Sequence, residues 1–147
     1  LRIRVVERFP VAQVDGGDAF WLVDGEGWVI TRQSPEETST LVVIRDVPDF
    51  EPVESARSNS AILRNALKVW LGLGDELRSR VRLMSAPSQD KTALVTTDDI
   101  EVFVGSADEI EKKDVVIRRI LEEQAGRVVY INVRVVDRPT WRGISSP

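Results

Sequence analysis

The sequence predicts an α+β domain, a mostly antiparallel curved sheet with two helices packed on it. Three observations carry that prediction: many short apolar runs with period-two alternation, hairpin-type turns between them, and only two stretches whose apolar residues recur at helical spacing. At 147 residues the chain is about one domain long, and its 42% hydrophobic and 30% charged residues are those of a folded protein.

The elements follow in order. Leu1 to Val6 alternates as a strand and Pro10 punctuates it; a chain opening in mid-strand reads as a fragment. Val11 to Val14 is a short strand ended by Gly16-Gly17, and Ala19 to Val23 and Trp28 to Thr31 are two arms of a hairpin around Asp24-Gly25-Glu26-Gly27. Leu41 to Arg45 is a β-branched run. From Asn59 to Leu71, Ile62, Leu63, Ala66, Leu67 and Trp70 recur at helical spacing, with Gly72 or Gly74 as the stop. Val81 to Met84, Thr92 to Thr97 and Ile100 to Val104 are strands, the last two joined by Asp98-Asp99. Ser106 and Glu109 form an S-x-x-E capping box for a second helix with the stripe Ile110, Ile117, Ile120 and Leu121, ended by Gly126. A long final strand, Val128 to Val136, is ended by Asp137-Arg138-Pro139.

Composition excludes several functions. The chain has no cysteine and no histidine, which removes thiolate nucleophiles, disulfides and the usual zinc and haem ligands. Its net charge of −4 argues against nucleic acid, which demands a basic stripe; Arg78, Arg80 and Arg82 alternate like the solvent face of a strand. No run approaches the roughly 20 apolar residues of a membrane helix. Asp24-Gly25-Glu26-Gly27 lies between strands and carries two carboxylates, so it reads as a turn and not a phosphate loop. Ser88-Gln89-Asp90-Lys91 matches S-x-x-K but sits in a polar turn without the partners such a nucleophile needs. The carboxylate pairs Asp98-Asp99, Glu36-Glu37 and Glu122-Glu123 sit side by side, whereas glycoside hydrolysis needs two carboxylates facing across a cleft. No catalytic, metal or cofactor residue is assigned.

The features that remain point to protein binding. In the final strand, alternation places Val129, Ile131, Val133 and Val135 on the core face and Val128, Tyr130, Asn132, Arg134 and Val136 on the other. At a sheet edge such a strand invites a partner strand; in the interior it is paired on both sides, and periodicity leaves both open. Trp141 follows a proline in a polar tail, either as an exposed interface tryptophan or folded back on the core.

Four segments, in order, resemble the extracytoplasmic part of the FtsQ/DivIB bacterial cell-division family. Glu7-Arg8-Phe9-Pro10-Val11-Ala12 is similar to the family's E-R-x-P-x-A junction after its POTRA domain. Leu22 to Ile30 resembles its V-D-x-x-G-x-V/I hairpin, Asp99 to Gly105 its strand before the last long helix, and Tyr130-Ile131-Asn132-Val133-Arg134 its Y-V-D-L-R strand. The resemblance implies residues 1–8 as the end of a truncated POTRA domain, 9–138 as the family's β domain and 139–147 as a tail. It implies a non-enzymatic scaffold, anchored in the cytoplasmic membrane by one upstream helix and facing outward at the septum. Its implied partners are the FtsB/DivIC-like and FtsL-like division proteins, one of which adds a strand at the C-terminal strand to regulate septal wall synthesis. Carried over by position, the binding residues are Arg134, Val135, Val136 and Asp137, with Arg118 and Arg119 on the preceding helix and Trp141 as a further candidate. Asn132 stands where the family has aspartate, and Val135 where an aromatic is common. A POTRA-linked peptide-binding module of an outer-membrane assembly or secretion system is the alternative that the upstream sequence would decide.

Overall fold

The structure, a computed structural model, describes residues 7–33 and 39–144. The strand expected at Leu1 to Val6 lies outside the described residues. Among the described residues nine strands form one sheet: β1 Ala12–Asp15, β2 Phe20–Val23, β3 Val29–Gln33, β4 Val42–Arg45, β5 Val81–Ser85, β6 Ala93–Thr96, β7 Glu101–Phe103, β8 Val128–Asn132 and β9 Thr140–Gly143. Three helices, α1 Ala61–Gly72, α2 Asp75–Arg78 and α3 Ile110–Glu123, complete the α+β fold.

The strands lie in the order β3-β2-β1-β4-β5-β6-β7-β8-β9. The sheet is mixed. Five junctions are antiparallel, and three, β1–β4, β4–β5 and β7–β8, are parallel. Parallel neighbours need a crossover. Helices α1 and α2 make the one from β4 to β5, and α3 makes the one from β7 to β8. Register partners Trp21, Val14, Ile44, Met84, Leu94, Val102, Ile131 and Trp141 make one row across eight strands. The six inner members are fully buried, and a tryptophan stands at each end.

Helix α1 starts at Ser60, whose Oγ accepts from the Leu63 amide at 3.0 Å and so satisfies an otherwise orphan donor. Of the expected stripe, Leu63, Ala66 and Leu67 are buried and Ile62 and Trp70 half-buried, while Val69, outside that expectation, is buried as well. The capping box expected for the second long helix does not form. Helix α3 starts later, after Glu109, which is left-handed at φ 56 and makes no side-chain cap. The intervening turn is held from elsewhere: Asn65 on α1 accepts from the Ala107 amide at 2.9 Å and donates to the Gly105 carbonyl at 3.0 Å. Lys113, only 2% exposed, donates to the carbonyls of Val104 and Ser106 at 3.0 and 2.8 Å. These long-range bonds displace the local cap. Asp114 does the same for α2, accepting from the Gly74 amide at 2.8 Å. Of the three arginines expected on a strand face, Arg78 ends α2 and Arg80 precedes β5, which leaves Arg82 exposed on the strand.

Candidate functional site

The two edges of the sheet differ. At β3 the chain 53–58 folds over the outer side. Val29 donates to Ala56 at 2.9 Å and accepts from Ser55 at 2.8 Å, and Trp28 bridges Arg57. The Glu54 carboxylate accepts the Arg32 amide at 3.1 Å. These groups occupy backbone positions that would otherwise template another chain. The adjoining turn is the hairpin expected from Asp24-Gly25-Glu26-Gly27: Asp24 accepts the amides of Glu26 and Trp28 at 3.0 and 2.9 Å. Arg8 pairs with Asp24 at 3.1 Å and stacks over Trp28 at 3.9 Å.

The other edge is unpaired among the described residues, and it is not the strand the alternation singled out. The run expected as one strand, Val128 to Val136, stops at Asn132. Asn132 Oδ1 accepts the Arg134 amide at 3.0 Å, and Arg138 then donates to the Val135 carbonyl at 3.0 Å. These local bonds turn the chain back. The residues expected as a polar tail become β9, antiparallel to β8. Strand β8 is therefore interior, paired with β7 on one side and β9 on the other. A register shift between Val128 and Tyr130 also breaks its alternation. Val128, Ile131, Val133 and Val136 are buried, whereas Val129 and Val135, expected in the core, are 45% and 60% exposed.

No strand among the described residues pairs with the far side of β9. Ile144 donates back to the Arg127 carbonyl at 2.7 Å. By alternation the amides of Arg142 and Thr140 also face β8, while those of Trp141 and Gly143 face outward. The Trp141 side chain continues the buried row beyond Ile131 and is 40% exposed. A Cβ on Gly143 would lie 3.1 Å from the Trp141 ring and 3.0 Å from the Arg127 carbonyl oxygen. On the opposite face Phe103 and Tyr130 pack 5.3 Å apart, with Arg134 stacked on the first and Arg142 on the second.

The sequence-derived candidates fall into two groups. Arg134, Val135, Val136 and Asp137 form the β8–β9 connection, beside Trp141 on β9. There Arg134 is held by Asn132 and by Asp90 at 3.1 Å, Val136 is buried and Asp137 is exposed. Arg118 and Arg119 belong instead to α3, which packs over β8. Arg118 binds Asp114 at 2.6 Å and Glu76 at 3.5 Å; the Asp114 hydrogen bond and then its charge raise the guanidinium pKa further. Arg119 is exposed beside Val115 in the shallow groove between α2 and α3. The rejected motifs have structural partners: Ser88 accepts the Lys91 amide in a turn, and Asp98 and Asp99 pair with Arg80 and Arg82. Residues Arg142, on β9, and Ile144, just after it, were missed, because that strand is only four residues long and polar.

These features define an α+β domain in which, among the described residues, one sheet edge is covered and the other unpaired. The sequence model described as "Cell division protein FtsQ/DivIB, C-terminal" matches residues 12–137. Over 140 residues, 95% of this chain, it is 31% identical to a "Cell division protein FtsQ" of Mycobacterium leprae (strain Br4923) and 30% identical to those of Mycobacterium bovis and Mycobacterium tuberculosis. The chain spans 38% of the length of the first and 41% of the other two. The chain belongs to the FtsQ/DivIB family of cell division proteins.

Proposed function

We propose that this chain is the partner-binding, non-enzymatic part of a membrane-anchored division scaffold. In this reading it faces outward at the septum and accepts a strand from an FtsB/DivIC-like protein, with an FtsL-like protein in the same assembly, to regulate septal wall synthesis. Residues 1–8 then end a POTRA domain and the anchor lies upstream. The observation that carries the reading is the asymmetry of the edges: 53–58 and Glu54 cover β3, while β9 presents outward amides and a half-exposed tryptophan. Backbone hydrogen bonds would supply affinity, and Trp141, with Val135 and Arg134 alongside, would supply selectivity. The receiving strand is β9 rather than the longer run first considered.

Trp141→Pro is the test. Proline removes one outward amide, a position where an edge strand tolerates it. Trp141→Ala keeps the amide and loses the side chain. Burying the exposed part of Trp141, roughly 100 Å², contributes about 2.5 kcal/mol, so alanine is expected to weaken binding of a DivIC-like peptide about seventy-fold. Proline is expected to abolish binding while circular dichroism shows the fold retained. A folded proline variant that binds like the wild type refutes strand addition at β9.

A further inference from the structure

Helix α1 carries no carboxylate in its twelve residues, and its exposed side faces a groove of about 500 Å³. Arg64 and Lys68 line one wall, Arg57 one end, and Gln89 and the 106–108 turn the other wall. Asp108 is the lone acid lining it. No carboxylate among the described residues pairs with Arg57, Arg64 or Lys68, although the chain as a whole is acidic at −4.

The groove is built rather than incidental. The Arg64 stem runs beside Gly27, where a Cβ would lie in ordinary contact, 3.5 Å from its Cγ. Arg57 Nε is anchored on the Glu26 carbonyl at 2.9 Å, which leaves its terminal nitrogens available. The opposite wall is fixed to α1 by both ends of the Asn65 amide.

We infer that this groove docks an extended acidic segment of a partner protein. Charge complementarity selects the sign. Spacing selects the form, because Arg64 and Lys68 are about 6 Å apart along the helix axis, close to the roughly 6.6 Å between alternate side chains of an extended strand. A small anion would be better served by cations converging on one point, and a nucleic acid by a longer basic track. The groove does not include β9, so this inference stands apart from strand addition.

The test is a Glu-Ser repeat peptide titrated into the whole chain, followed by backbone amide NMR, with a Lys-Ser peptide and inorganic triphosphate as controls. Shifts are expected at Arg57, Arg64, Lys68 and Gln89, weakening with salt. The reversal R64E/K68E is expected to weaken binding more than tenfold, whereas Trp141→Pro leaves it unchanged. Absence of localised shifts, insensitivity to the reversal, or equal binding of triphosphate would overturn it. So would shifts that track self-association of the chain instead of added peptide.

Discussion

Replacing Lys113 with methionine probes the hydrogen bonds that replace a local helix cap. Methionine matches the stem and lacks the three donors, so the carbonyls of Val104 and Ser106 lose the ammonium. An orphaned buried acceptor costs about 1–3 kcal/mol. The Val104 bond is buried and takes that cost, whereas the partly buried Ser106 carbonyl recovers part of its loss from water. Methionine in turn relieves the desolvation of the charge. The net loss is expected at about 2 kcal/mol, a shift of about 1 M in a urea midpoint for a chain of this size. The pH dependence has a definite sign. Desolvation lowers the Lys113 pKa below 10.5, with Asp108 and Glu109 opposing. Between its folded value and 10.5 the unfolded chain holds a proton that the folded chain has released, so stability rises with pH across that window. Below the folded value the full desolvation cost is present. The neutral amine still donates, so the wild type's advantage over Lys113→Met widens as pH climbs towards 10.5. Groups common to both proteins cancel in the difference. Urea melts of both proteins near neutrality and in the alkaline window measure it. A deficit under about 0.5 kcal/mol, or one that narrows with rising pH, would refute the reasoning.

Other substitutions separate the observed arrangement from simpler ones. Ile131→Ala is expected to cost about 3–4 kcal/mol in chemical denaturation, as a large-to-small change at a fully buried position of the row. Val129→Ala, on the same strand but exposed, should stay within about 0.5 kcal/mol; equal costs would restore regular alternation. Glu54→Ala frees the Arg32 amide on β3 and is expected to raise self-association in light scattering, whereas Glu54→Gln, which keeps an acceptor, should match the wild type. Gly143→Val introduces a Cβ against the Trp141 ring and the Arg127 carbonyl, and should blue- or red-shift tryptophan emission and loosen β9 with little effect on α1.

Much of the sheet was legible because its strands obey alternation and its turns carry Gly, Asp and Pro. The parts that were not have specific physical causes. Asn132 sits in an apolar run where pattern extends the strand, yet its side chain can bond the amide two residues on, and that local bond ends it. The bulge at Val128–Tyr130 then shifts which valines face inward. Thr140–Gly143 is too short and polar for periodicity to register, and only pairing with β8 makes it a strand. Ser106 had the sequence of a cap, but Asn65, 41 positions earlier in the chain, satisfies the turn amide instead. Helix α2 is a single turn whose one signal was Asp75-Glu76 after a glycine. The candidate residues Arg134 to Asp137 and Trp141 do not share one strand as expected, because the chain reverses between β8 and β9.

A sheet with one sealed side has a valence of one. Were both flanks available, each bound strand would leave a second acceptor, and domains could join end to end into an open-ended ribbon. Among the described residues 53–58 and Glu54 lie across β3, so under the proposed strand addition growth by strand pairing proceeds outward from β9. On that proposal the domain would be a terminus for any assembly built on it, and its copy number would set how many such assemblies begin.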